Sequence, residues 1–124
     1  MTLAVGDIAF VAYNHSGGTP EAVQFITLVD IPASEEIRFT DRGWRDPEND
    51  FFTGSGFDGV AIWTAPAAGV PAGTIVTINT NSGGAATGGA PGTVSGGANI
   101  NLANAGVGGD QVIAFQQAMG VDTP

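Results

Sequence analysis

The sequence predicts an all-β protein, an antiparallel β-sandwich of about seven short strands with long acidic and glycine-rich loops. Three observations lead to this fold class. Apolar and polar residues alternate through much of the chain, no segment has the spacing of a long amphipathic helix, and clusters of Gly, Pro and Asn separate the alternating segments. With 43% apolar residues, residues 1–124 fit a single domain that can bury its own core.

The predicted strands follow one another at short intervals. Ala22–Ile31 is apolar on both faces, which is typical of a central strand. Only a short turn separates it from the next strand, so we expect these two to form a hairpin. Residues 81–98 consist mostly of Gly, Ala, Ser and Thr, and we expect a flexible surface loop there. The predicted strands are Asp7–Tyr13, Ala22–Ile31, Glu36–Thr40, Gly59–Thr64, Gly73–Thr80, a short strand at Ile100 and Leu102, and Asp110–Phe115.

Alternation within the strands selects the side chains that should face the core. A shift of one residue would turn every side chain of a strand to the other face, so this selection also tests the register. The side chains predicted to be among the most buried are Phe10, Phe25, Val29, Ile37, Phe39, Ile62 and Ile78.

The chain is acidic, with a formal net charge of −9, and its three basic residues are all arginine. So few cations cannot neutralise a run of phosphates, which argues against a nucleic acid or an anionic membrane surface as a partner. Cysteine is absent, which excludes disulfides and thiolate metal sites. No apolar run is long enough to insert into a membrane, and the N-terminus lacks the basic residues of a signal peptide.

The long loop Thr40–Asp58 collects acidic residues, and residues 46–50 place oxygen ligands at alternate positions. Calcium takes six to eight oxygen ligands, some of them from backbone carbonyls, so an extended acidic loop of this kind suits it. The alternative is a solvated loop in which Arg42 and Arg45 pair with nearby carboxylates. The candidate calcium ligands are Asp41, Asp46, Glu48, Asp50 and Asp58.

Two tryptophans are candidates for stacking against a sugar ring. Trp44 lies at the end of a strand and could instead plug the end of the sandwich. Trp63 alternates with Val60 and Ile62, so it is either exposed or buried beneath the long loop. If Trp63 is exposed, it forms an aromatic patch together with the loop phenylalanines. Such a patch would mark a binding site, and a surface glycan is one partner that would fit it.

No residues form a recognisable catalytic arrangement. His15 is the only histidine and lies in a polar turn, with no serine in the context of an activated nucleophile. Glu35 and Glu36 are neighbours on an extended segment, so their side chains point to opposite faces and cannot share a substrate. The sequence therefore favours a non-catalytic domain over an enzyme.

Three segments carry a resemblance to a known type of domain. They are Gly6–Asn14, Phe25–Ala33 continuing into Ile37–Trp44, and Gly109–Gln116, with Phe-Thr-Asp-x-Gly-Trp as the most specific part. Their order resembles the N-terminal β-domain of large bacterial proteins that carry calcium-binding repeats-in-toxin and leave the cell by type I secretion. It is also distantly similar to lamin-tail sandwiches. Ser34 and Glu35 depart from the usual Gly-Thr, and the resemblance implies further strands beyond Pro124.

The resemblance implies a protein that is extracellular or on the cell surface, exported without an N-terminal signal peptide. The expected function is that of a non-catalytic structural or adhesive module, stabilised by calcium. The alternatives are a carbohydrate-binding module that uses Trp44 and Trp63, or an accessory domain of a secreted nuclease, phosphatase or esterase. If a strand of the sheet is missing, an edge stays open and the chain should self-associate, with Thr74–Asn79 or Asp110–Phe115 as the exposed edge.

Overall fold

The computed structural model describes residues 3–14, 21–45, 50–51, 59–81, 84–98, 100, 102, 111–118 and 121–123. Within these ranges every regular element is a β-strand, and no helix long and apolar enough to span a membrane occurs there. The strands are β1 (Ile8–Asn14), β2 (Glu21–Thr27), β3 (Glu36–Thr40), β4 (Trp44–Arg45), β5 (Asp50–Phe51), β6 (Val60–Thr64), β7 (Ile75–Asn81), β8 (Gly84–Gly88), β9 (Thr93–Gly96), β10 (Ile113–Ala118) and β11 (Val121–Thr123).

The strands form two antiparallel sheets that pack as a sandwich, which confirms the predicted fold class. The first sheet has the order β1-β2-β7-β8 and the second the order β11-β10-β3-β6-β9. A separate hairpin joins β4 to β5. Strand β2 alternates strictly between buried and half-buried residues, as expected for a strand with one face on the core. The described strands number eleven, more than the seven expected, because several are only two to five residues long.

Aromatic side chains from both sheets form the centre of the core. The Phe25 ring lies 5.1 Å from the Phe39 ring and 5.4 Å from the Trp63 ring, measured between centroids. Phe39 is flanked in register by Ala61 on β6 and Ala114 on β10, and these small side chains leave room for the rings. The predicted burial is confirmed for Phe25, Ile37, Phe39 and Ile78.

Three of the side chains predicted to be buried are not. Phe10 is 43% exposed because β1 is an edge strand, and Val29 lies half-buried beyond the end of β2. Ile62 is also half-buried, because Ala61 and Trp63, on the opposite face of β6 from the one predicted, point into the core. Ile62 instead pairs with Arg38 on the outer side of the second sheet.

The expected hairpin between the second and third strands is wrong. Strand β2 pairs with β1 and β7, whereas β3 pairs with β6 and β10 in the other sheet. The connection crosses between the sheets and is fixed there by a bridge in which Ile31 and Val70 exchange backbone hydrogen bonds of 2.8 and 2.9 Å. Ile100 and Leu102 form no strand, although both are buried in the core.

The expected loop over residues 81–98 is also wrong, because the segment contains β8 and β9. Its glycines allow a close approach between backbones. A Cβ on Gly92 would collide with the Thr64 carbonyl oxygen and lie 2.6 Å from Trp63 Nε1. A Cβ on Gly97 would lie 2.8 Å from the Cβ of Ala86. Glycine at these two positions therefore permits close packing, of Gly92 against β6 and of Gly97 against β8, rather than providing loop flexibility.

Of the two strands that were expected to provide an open edge, β7 is internal, since it lies between β2 and β8. Strand β10 pairs with β11 only over Gln116–Ala118, and among the described strands its first half, Ile113–Phe115, pairs with β3 alone. The outermost described strands are β1 and β8 in the first sheet, and β9 and β11 in the second. Of these, β8 and β9 contact each other at one side of the sandwich. Strand β1 lies at the opposite side.

Candidate functional site

The two sheets end differently at the β1 side of the sandwich. The Phe10 ring of β1 packs edge-to-face on Phe39 of β3, with ring centroids 6.0 Å apart and planes at 67°. Beyond the stacked strands β2 and β3, the second sheet continues with β10 and β11, whereas the first sheet continues with β1 alone. The second sheet therefore has one more described strand than the first sheet at this side.

A groove lies at this side of the sandwich, and we call it the β1 groove. It consists of two cavities of about 670 and 480 Å³ that follow β1, and both are lined by Phe10 and Val112. The larger cavity continues along Ile8 and Ala114, and the smaller one along Val11 and Tyr13, so the lining is mainly apolar. The remaining lining includes Leu3–Asp7, Glu35–Arg38, Ile113, Phe115, Gln116, Ala12 and Val23.

Hydrogen bonds fix one end of the β1 groove. The Gln116 amide oxygen accepts a hydrogen bond of 2.7 Å from the Leu3 backbone N–H. The Gln116 amide nitrogen donates to Glu35 Oε1 at 2.6 Å and to the Glu36 carbonyl at 2.9 Å. One side chain of β10 thus joins the segment before β1 to the start of β3 at this end of the groove.

A β-bulge shapes the other end of the groove. Phe10 pairs with Phe25 and Tyr13 with Val23, while the register shifts between Phe10 and Ala12. Because directly opposite residues share a face, the extra residue places both Phe10 and Tyr13 on the inner face of β1. The Tyr13 hydroxyl donates a hydrogen bond of 3.1 Å to the Leu102 carbonyl oxygen. The bulge thus re-aims Tyr13 toward the core segment at Leu102.

The backbone of β1 alternates between groups bonded to β2 and groups that face the groove side. Leu28 N–H donates to the Asp7 carbonyl oxygen at 2.8 Å, and Thr27 N–H donates to Thr74 on the β7 side at 2.9 Å. Hydrogen-bonded and non-hydrogen-bonded pairs alternate in an antiparallel ladder, so Ile8 and Phe10 direct their N–H and C=O groups away from β2. No described strand pairs with β1 on that side.

The side chains exposed along β1 are large and apolar. Phe10, Val11 and Tyr13 are 43%, 50% and 45% exposed, and the strand contains neither charge nor proline. The charged residues that border the larger cavity are Asp7, Glu35, Glu36 and Arg38, and we call them its rim. Arg38 and Glu36 lie on the outer face of β3 and form an ion pair at 3.5 Å, so their charges offset each other and Asp7 and Glu35 give the rim a negative charge.

The structure places the candidate calcium ligands only in part. Asp41 is buried, and its Oδ1 accepts a hydrogen bond of 2.9 Å from the Gly59 N–H, which ties the end of β3 to the start of β6. Asp50 lies in β5, where its backbone pairs with Arg45. Among the described residues no three His, Asp or Glu side chains form a cluster that could hold a metal ion. The remaining candidates Asp46, Glu48 and Asp58 lie outside the described residues.

The two tryptophans have different environments. Trp63 is fully buried between the sheets, and its Nε1 donates a hydrogen bond of 2.7 Å to the Gly89 carbonyl oxygen. This corrects the interpretation of Trp63 as an exposed platform for a sugar, since no face of its ring is open. Trp44 is half-buried and packs at 5.0 Å on Phe51, which in turn packs at 4.8 Å on Phe115. Trp44 therefore covers the side of the second sheet that faces away from the core.

No known protein family, curated protein or solved structure matches the chain. The β1 groove is the feature that sequence reasoning missed. The charge-free segment Ile8–Tyr13 could have pointed to it, since a natural edge strand is usually protected by charge or proline. That segment reads equally well as a buried strand, however, and only the strand order shows that it lies at an edge.

Proposed function

We propose that the chain is a non-catalytic structural or adhesive module of an exported bacterial protein, and that it joins other polypeptides by strand addition along β1. The observation that carries this proposal is the exposed apolar edge of β1 beside the β1 groove, an edge to which no other described strand is added. Edge strands with exposed backbone groups bind extended segments through main-chain hydrogen bonds, while pockets beside them select side chains.

Two further features support a module of this kind. Aromatic packing across the sheets and the buried Trp63 hydrogen bond stabilise the core, so β1 belongs to a well-packed sandwich. The acidic composition, without lysine or cysteine, suits a calcium-rich medium outside the cell and fits the resemblance to type I-secreted proteins. Export and the role of calcium belong to this proposal.

Amide hydrogen exchange, measured residue by residue by NMR, tests the proposed function. If the edge is open, the amides of Ile8 and Phe10 should exchange about tenfold or more faster than the amide of Ala9, which faces β2. The Phe25 amide, in the central strand β2, serves as the internal control for a protected position. Equally slow exchange at Ile8, Phe10 and Ala9 would mean that the chain itself covers this edge, and would refute the proposed function.

A further inference from the structure

We propose that the β1 groove binds one extended, cationic polypeptide segment, which pairs with β1 as an additional strand of the first sheet and covers the inner face of β10. The inference rests on the proposed function and adds the chemistry of the partner. It is carried by the backbone directions of β1, by the additional strand of the second sheet and by the charge of the groove rim.

The groove fits an extended strand because it provides both backbone hydrogen-bonding groups along β1 and apolar pockets for side chains. Ile8 and Phe10 direct backbone donors and acceptors toward the groove side, where an added strand would lie about 4.8 Å from β1. Val112 and Ala114 lie two residues apart on β10 and line the floor. Every second side chain of an added strand would point to this floor, so apolar residues at alternate positions would fill it.

The additional strand of the second sheet favours a segment that brings no second layer of its own. If two copies paired through β1 about a two-fold axis, β1 of the partner copy would lie beside β1 of the first. In each copy the second sheet packs against β1, so the partner copy would carry its own second sheet along. That sheet would meet β10 and β11 of the first copy, which continue at this side. An extended segment meets no such obstacle.

The charge of the rim selects a cationic segment. Asp7 and Glu35 line the larger cavity, while Glu36 and Arg38 border it from the outer face of β3 and form an ion pair with each other. The whole chain carries a net charge of −9, so its long-range field attracts a basic segment and repels an acidic one. Apolar residues on one face with Lys or Arg near the ends therefore match both the floor and the rim.

The test uses the full chain and the synthetic peptide acetyl-Lys-Val-Thr-Val-Thr-Val-Lys-amide as the probe. We expect saturable NMR shifts that are confined to the β1 groove, at Ile8, Phe10, Val112 and Ala114, together with slower amide exchange at Ile8 and Phe10. A peptide with N-methylvaline in place of the three valines keeps every side chain and charge but lacks the N–H groups that an antiparallel strand would direct at Ile8 and Phe10, and it should bind at least tenfold more weakly. A peptide with glutamate in place of both lysines should also bind at least tenfold more weakly.

Two matched protein variants locate the site. Val11 and Ile75 are 50% and 54% exposed, but only Val11 lines the groove. Val11→Lys places a like charge beside the peptide and should weaken binding tenfold or more, whereas Ile75→Lys should leave it unchanged within twofold. Unchanged melting curves for both variants would show that each still folds.

The possible outcomes separate this inference from the proposed function. If the amides of Ile8 and Phe10 exchange rapidly but the peptide causes no NMR shifts, or binds at β8, β9 or β11, the inference is wrong and the proposed function stands. Equal binding of the glutamate peptide would overturn the cationic partner. Sedimentation that shows a dimer in the native chain and a monomer in Val11→Lys would identify a second copy as the occupant, which would also overturn the inference.

Discussion

Replacing Trp63 by Phe would test how the glycine-rich segment is attached to the second sheet. The indole N–H donates to the Gly89 carbonyl oxygen at 2.7 Å, and both residues are buried. A phenylalanine ring keeps much of the apolar contact with Phe25 but provides no donor. The Gly89 carbonyl would then lose this buried hydrogen bond, which costs about 1–3 kcal/mol. The smaller ring also leaves a void, which should lower the free energy of unfolding by about 1 kcal/mol.

The expected loss of unfolding free energy for Trp63→Phe is therefore about 2–4 kcal/mol, out of a total that is about 5–15 kcal/mol for a typical domain. Urea unfolding followed by circular dichroism measures it without relying on tryptophan fluorescence. Trp44→Phe is the matched control, because Trp44 is half-buried on the outer side of the second sheet and should cost about 1 kcal/mol or less. A Trp63→Phe variant that is no less stable than Trp44→Phe would refute the reasoning about the buried indole.

The remaining predictions concern the core and calcium. Phe25→Ala and Phe39→Ala should each cost about 3–5 kcal/mol in urea unfolding, since both rings are fully buried; a loss below about 1 kcal/mol would contradict the packing. If the acidic loop binds calcium with a dissociation constant of about 0.1–1 mM, calcium at ten times that concentration should stabilise the fold by about 1.4 kcal/mol. Asp46→Ala or Asp50→Ala should abolish this stabilisation, and melting curves that are identical with calcium and with chelator at constant ionic strength would exclude the site.

The position of strands could be predicted from alternation, but their faces only in part. Strand β3 was predicted with its observed bounds, Glu36–Thr40, because charged and apolar residues alternate there without ambiguity. Strand β6 was located equally well, yet its core face was assigned wrongly. Both of its faces are apolar, with Val60 and Ile62 on one and Ala61 and Trp63 on the other. Only pairing with β3 decides between them, and that pairing is not visible in the sequence of β6.

The strand order and the glycine-rich segment could not be predicted because both depend on contacts between distant residues. A turn at Pro32–Ser34 is compatible with a hairpin, but the bridge between Ile31 and Val70 carries the chain to the other sheet instead. Glycine near residue 92 has the local signature of a loop, but it is required there by the close approach of β6. The candidate site shares this limit, since the β1 groove depends on β1 being the last described strand of one sheet while the other sheet continues with β10 and β11.

The bulge in β1 links the exposed edge to the kind of partner that it can accept. It interrupts the regular ladder between Phe10 and Ala12, so only the short stretch Ile8–Phe10 offers evenly alternating backbone groups toward the groove. Bulges are among the features by which natural edge strands avoid pairing with another flat sheet edge. A flexible segment can adjust its own backbone to the interruption at Val11, whereas a strand held in a second folded sheet cannot. The bulge and the additional strand of the second sheet thus act in the same direction: β1 stays exposed, yet both features disfavour a second folded copy and leave the groove to an extended chain.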